Sequence, residues 1–180
     1  AMTILSSVMQ FAMLPLQGIA QGAQPILSFN YGARNSSRVR ETFRLLLKTC
    51  LIYSVTLWAV IQLFPRLFVG LFNTALVDYA ATPLRVYCAV LFLFGIQLAC
   101  QMTFVSIGYA VCSIIVAVLR KFVLLIPCIY LLPHFFADQT MAVFLAEPVA
   151  DAIAVTSTAI LFAFQFKKAM RKLDEQGPKA

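Results

Sequence analysis

VYCAVLFLFGIQLACQMTFVSI, residues 86–107, contains no charged residue. Its length matches the roughly 20 residues that an α-helix needs to cross a hydrocarbon core. In lipid a helix satisfies its own backbone groups, whereas an open strand leaves them bare, so helix is the reading. Four further apolar segments flank it: residues 2–29, 45–64, 113–132 and 140–166. The pattern predicts an all-α, polytopic membrane bundle of about five transmembrane helices over residues 1–166, followed by a basic tail over 167–180.

Composition leads to the same place. Hydrophobic residues make up 62% of the 180 and charged residues 12%, with a mean hydropathy of +0.89. Soluble domains carry about 25% charged residues, so the surplus of apolar side chains has to face lipid. The net charge of +7 forms no patch interleaved with exposed aromatics, which argues against nucleic acid as a partner. The five cysteines (Cys50, Cys88, Cys100, Cys112, Cys128) show no C-x-x-C spacing and read as small core hydrophobes. The chain opens at Ala1-Met2 inside an apolar stretch with no polar leader, which reads as the start of a fragment.

The basic residues set an orientation. Arg34, Arg38, Arg40, Arg44 and Lys48 follow the first segment, Arg120 and Lys121 start the fourth, and Lys167, Lys168, Arg171, Lys172 and Lys179 close the chain. Counted by alternate sides, these fall together, and only Arg66 and Arg85 fall opposite. The positive-inside bias then predicts a cytoplasmic C-terminus in a cell membrane, a bacterial inner membrane being the expected one. Asn35-Ser36-Ser37 fits a glycosylation acceptor but lies on the cytoplasmic side and is discounted. Asp78 and His134, in the opposite connections, are read as solvated residues with no role.

Polar residues within apolar segments cost free energy, so their placement is informative. Gln10, Gln17, Gln21 and Gln24 share one face of the first helix at 100° per residue. They suit the wall of a substrate cavity or a hydrogen-bonded helix interface equally well. Gly18 and Gly22 predict close helix packing, and Pro15 a kink. In the third segment, Gln97 and Gln101 sit one turn apart, with Thr103 and Ser106 nearby. Amides can bind polar or cationic ligands but take up no proton at physiological pH. Glu147 and Asp151, at i and i+4 in the last segment, share a face that Thr158 and Gln165 extend. Such a pair is a candidate for coupling to a cation. Alternatively it sits hydrated at an interface, a placement that Pro148 favours if it stands in a first helical turn.

Enzyme chemistry has no foothold in these residues. There is one histidine, no G-x-S-x-G, and no G-x-x-x-x-G-K-[ST] loop to cradle a phosphate.

Three stretches carry a family resemblance. Gly18 to Ala33 reads GIAQGAQPILSFNYGA and leads into a basic loop; Leu119-Arg120 through Pro127 and Leu132-Pro133 form the second; LAEPVAD, residues 145–151, is the third. In this order they resemble the eighth, eleventh and twelfth helices of a multidrug and toxic compound extrusion (MATE) transporter. The resemblance implies part of the second lobe of a twelve-helix, two-lobed fold. It also implies export of small organic cations or drugs by alternating access, against a proton or sodium gradient and with no cofactor. The N-terminal lobe, which function would need, is not among these helices. The family places coupling acids in the first helix, or in the seventh and tenth, and the first and seventh are not among these helices. The tenth-like helix here has Gln97 and Gln101 but no acid, and Gly108 is followed by Tyr109 where the family often has lysine. No family cation site therefore carries over to these residues. Rival readings are a lipid-linked oligosaccharide flippase of the same superfamily, which would want an arginine- and lysine-lined cavity, and a non-transporting membrane subunit or intramembrane enzyme.

Overall fold

The computed structural model describes the backbone of residues 2–72, 82, 84–118, 126–127 and 139–176, and their side chains except 2–5, 68, 71–72, 110, 112, 116–117 and 139–147. Every regular element among them is helical. Helix α1 spans Met2–Gly32, α2 Ser36–Leu63, α3 Pro65–Phe72, α4 Phe94–Ser106, α5 Ala110–Val118 and α6 Gln139–Gln176. A helical turn over 84–87 and a 3₁₀ turn at Leu91–Leu93 precede α4. Among the described residues, three stretches are long and apolar enough to cross a membrane: Ser36–Leu63, Leu84–Ser106 and Pro148–Gln176. The fourth segment expected from sequence lies mostly outside the described residues, as do Arg120, Lys121, Asp78 and His134.

Helix α4 is the hub, packed against α1, α2 and α6. Its buried set (Phe94, Gly95, Gln97, Ala99, Cys100, Thr103, Phe104, Ser106) runs round the helix, as expected of a central element. The outer helices bury narrower stripes: Val8, Ala12, Leu16 and Ala20 on α1, and Val39, Leu46, Cys50, Ser54 and Ile61 on α2. Large apolar side chains such as Phe11, Phe29, Ile52, Leu63 and Phe164 remain exposed on the outside, the surface that lipid covers in a membrane protein. Phe162 stacks on Phe166 at 4.9 Å and meets Phe43 at 4.7 Å and Phe104 at 5.1 Å, joining α6 to α2 and α4.

Several elements run differently from the sequence reading. Helix α2 starts at Ser36, so the basic stretch is its first turns, and Arg34 (φ +57°) makes the tight reversal before it. Asn35, discounted as a glycosylation site, is the N-cap: its side-chain oxygen accepts from the Arg38 N–H at 3.2 Å. The stretch from Pro65, read as a connection, begins with helix α3, where proline occupies the first position and gives up an N–H that would be unpaired anyway. Gly18 and Gly22 are exposed, and a Cβ added at either would meet nothing within 4 Å, so they make no close helix contact among the described residues. That contact falls at Gly95 instead, where a Cβ would lie 2.6 Å from Ser54 Oγ and 2.7 Å from the Cys50 carbonyl oxygen. Gly108 (φ +82°) ends α4: Tyr109 N–H donates to the Phe104 carbonyl at 2.9 Å and Gly108 N–H to Val105 at 3.2 Å. Finally, α6 begins at Gln139, so Pro148 stands inside a helix and not in a first turn, and the helix continues past Phe166 to Gln176. Neighbouring helices can re-satisfy the carbonyl that an interior proline frees, which is why membrane helices tolerate it.

Candidate functional site: a cavity beside a broken helix

The charge-free stretch that identified the fold is not one continuous helix. Cys88–Val90 form a turn, and the 3₁₀ turn Leu91–Leu93 follows before α4 begins at Phe94. Interrupting a membrane helix frees carbonyl oxygens that lipid cannot satisfy. Helix α2 satisfies three of them with side chains one turn apart. Ser54 Oγ donates to the Phe92 carbonyl at 3.0 Å, Trp58 Nε1 to Ala89 at 2.9 Å, and Gln62 Nε2 to Arg85 at 3.0 Å. Helix α1 contributes at the other end, with Ser28 Oγ donating to the Ser106 carbonyl at 3.0 Å. Gly95, lacking a side chain, lets the α2 backbone come close enough for the Ser54 bond.

Against the other side of this break lies a cavity of about 720 Å³. Helix α1 lines it with Ser6, Met9, Gln10, Met13, Leu14 and Gln17, spaced as one face of a helix. Tyr87 and Phe94 bracket the break, and Gln97, Leu98 and Gln101 come from α4. Gln10, Leu14 and Gln17 are exposed, whereas Gln97 is 5% exposed, the buried amide residue of the lining. Its Oε1 is the buried side-chain oxygen that has no hydrogen-bond partner among the described residues. A buried polar atom left unpaired costs about 1–3 kcal/mol, so it needs an explanation.

Of the residues singled out from sequence, Gln10, Gln17, Gln97 and Gln101 come together here, while Gln21 and Gln24 lie farther along α1 and do not line the cavity. Asp151, 3% exposed on α6, is not part of the lining either. Glu147 belongs to the same helix one turn earlier, and its side chain lies outside the described residues. Counting from Lys167 at ~1.5 Å per residue, Asp151 lies ~24 Å up the helix and Glu147 ~30 Å, the full thickness of a hydrocarbon core. A helix crossing along the membrane normal therefore carries Asp151 within the apolar layer and Glu147 at its far edge. Among the described residues no His, Cys, Asp and Glu cluster could hold a metal ion. Sequence reading missed Tyr87, Phe94 and the two methionines. The signal available for the break was the stripe of donors Ser54, Trp58 and Gln62 at four-residue steps in the apolar half of α2.

The MatE family model matches residues 1–131. The chain belongs to the MatE family. Solved structures similar to this MatE chain include an inward-facing conformation of a multidrug resistance MATE family transporter of the MOP superfamily, at 17% identity and a TM-score of 0.84, covering 93% of this chain and 39% of that one. A MATE in the bent conformation aligns at 18% identity and a TM-score of 0.89, covering 96% and 38%. A MOP superfamily transporter from Pyrococcus furiosus, described as having a binding pocket of reverse polarity, aligns at 18% and 0.85, covering 93% and 38%. Among curated sequences no relative matches. The MatE chain thus spans about two-fifths of the length of these structures, and at such identities the likeness is one of fold.

Proposed function

We propose that this MatE chain supplies part of one lobe of a secondary transporter that exports small organic cations or drugs. The observation that carries the reading is a cavity whose lining brings together the amides of Gln10, Gln17, Gln97 and Gln101 and, among the described residues, holds no charged side chain. An uncharged wall carrying amide oxygens favours a ligand with N–H donors and a delocalised positive charge. Met9 and Met13 give the wall the adaptable, polarisable surface that suits ligands of varied shape. Among the described residues the lining carries amides and no Arg or Lys, which favours this reading over a flippase for anionic oligosaccharide lipids. Broken helices at the binding site, with the rest of the bundle moving around them, are a recurring feature of secondary transporters.

In this reading Asp151 is the coupling acid, the ion is a proton or Na⁺, and the helices that complete the two lobes are needed for alternating access. The basic ends of α2 and α6 face the cytoplasm. The test is Gln97→Leu in the full-length transporter, read by efflux of an amine-bearing fluorescent cation from everted vesicles. Export falls by about tenfold, the worth of one buried hydrogen bond to a charged donor, while thermal stability holds because an unsatisfied polar atom has been removed from the interior. Unchanged export, or lost stability with proportionate loss of export, would remove Gln97 from the site.

A further inference from the structure

The chain carries a second cavity, far from the first. A groove of about 320 Å³ lies between α2 and α6, lined by Arg40, Ala163, Phe166, Lys167 and Met170. It straddles the step from Phe166 to Lys167, where α6 turns from apolar to basic. At 28 and 38 residues, α2 and α6 extend ~42 and ~57 Å, both longer than a ~30 Å hydrocarbon core. They overhang at the same end, since Arg40 pairs with Asp174 at 2.6 Å and Ser36 donates to the same carboxylate. That overhang carries basic residues well in excess of its acids Glu41, Asp174 and Glu175. The groove therefore sits at headgroup depth, with an apolar wall on one side of the interface and two cations on the other.

We propose that this groove is a site for one anionic phospholipid, with its phosphate held by Arg40 and Lys167 and its upper acyl chain against Ala163, Phe166 and Met170. The Arg40–Asp174 pair does not compete strongly. Its side chains are 44% and 47% exposed, and ion pairs that open to water contribute little. Guanidinium geometry allows Arg40 to bind phosphate oxygens in a bidentate fashion from the face it turns to the groove. The apolar wall selects a lipid over a free phosphate. The anionic leaflet, which attracts basic residues next to membrane helices, supplies it.

Native mass spectrometry of the detergent-purified polypeptide, titrated with phosphatidylglycerol, phosphatidylcholine of matched chains or glycerol 3-phosphate, tests this. One phosphatidylglycerol is retained per chain, with about tenfold preference over phosphatidylcholine. The double variant Arg40→Ala/Lys167→Ala weakens it by about thirtyfold, two basic residues' worth at a membrane surface. Ala163→Trp, which fills the groove and leaves the charge untouched, removes the retained lipid. Asp174→Asn leaves retention equal or stronger, because it frees Arg40. Circular dichroism of each variant reports whether it is folded. The proposal fails if Ala163→Trp retains the lipid, if exposed Lys168→Ala weakens it as much as the double variant, or if glycerol 3-phosphate binds as well as the lipid. It also fails if Asp174→Asn weakens retention as Arg40→Ala does, since Arg40 would then be only a strut between helices.

Discussion

Gly95→Ala adds one methyl group at the point where α2 and α4 are closest. The new Cβ would lie 2.6 Å from Ser54 Oγ, 2.7 Å from the Cys50 carbonyl oxygen and 2.9 Å from the Cys50 carbonyl carbon. Ser54 could rotate away, but the Cys50 contacts are backbone in the middle of a helix and cannot. The helices must separate by about 0.5 Å or more to restore ordinary van der Waals distance. Separation lengthens the Ser54–Phe92 bond, now 3.0 Å, and the Trp58–Ala89 bond, now 2.9 Å. Overpacking costs about 1–3 kcal/mol, and each strained interhelical bond in a membrane protein about 0.6–1.7 kcal/mol more. The sum over the contact and both bonds, about 2–6 kcal/mol, corresponds to a fall in melting temperature on the order of 5–20 °C for a chain of this size. Cys50, Cys88 and Cys100 are buried thiols outside any disulfide, so a thiol-reactive dye reports unfolding with no introduced probe. Gly18→Ala and Gly22→Ala serve as controls. Both are mid-helix with open space at the Cβ position, so alanine's better helix propensity leaves the melting temperature equal or higher. If Gly95→Ala melts within a degree or two of the parent, or falls no further than the two controls, the close crossing is wrong and so is the account of how the break is held.

Two more substitutions probe the break and the acid. Trp58→Phe keeps an aromatic ring near Phe92, 5.6 Å away, but deletes the donor to the Ala89 carbonyl. Leaving that carbonyl unpaired favours local opening by about 1–1.5 kcal/mol, so alkylation of Cys88, buried within the break, accelerates by about tenfold with α6 unaffected; an unchanged rate would show that α2 does not hold the turn. Asp151→Asn in the full-length transporter keeps the buried side chain's shape and removes its charge. Export falls by at least about tenfold at equal membrane abundance if the carboxylate couples transport to an ion, and resistance equal to the parent would exclude that role.

Length and hydropathy were enough to read the all-helical class and the long helices among the described residues, because a hydrocarbon core imposes a length that apolar runs must meet; the short α3 and the break before α4 escaped them. They misplaced the ends, because helices longer than the core continue into water wherever caps and charges support them. Helix α2 starts at Ser36, well before the apolar run that opens at Leu45, and α6 runs on from Phe166 to Gln176. The amides that converge on the cavity were legible as a stripe on α1 and a pair on α4, since helical spacing fixes which residues share a face. What spacing could not give was which face meets which. Gln21 and Gln24 belong to the α1 stripe yet lie beyond the cavity. Gly18 and Gly22 have the spacing of a packing motif, but the crossing uses Gly95. A glycine marks a close approach only when a partner backbone reaches it, and that depends on the tertiary arrangement.

The break and the cavity are best understood together. A turn within a membrane helix exposes carbonyl oxygens, and each must find a donor or be removed by selection of a straighter helix. Here the carbonyls of Arg85, Ala89 and Phe92 are met by Gln62, Trp58 and Ser54, three residues on one edge of α2. Such pairing argues against a packing defect, because a defect leaves its polar groups unpaired. The unpaired buried oxygen is one turn away, on Gln97, a residue that lines the cavity. The bundle therefore satisfies the backbone groups of the break and leaves one buried amide oxygen unpaired beside the cavity, where a turn of the Gln97 side chain would present it to a ligand. That division is what a binding site built on a broken helix requires. It makes Gln97 the position at which a gain in stability and a loss of transport should appear in the same variant.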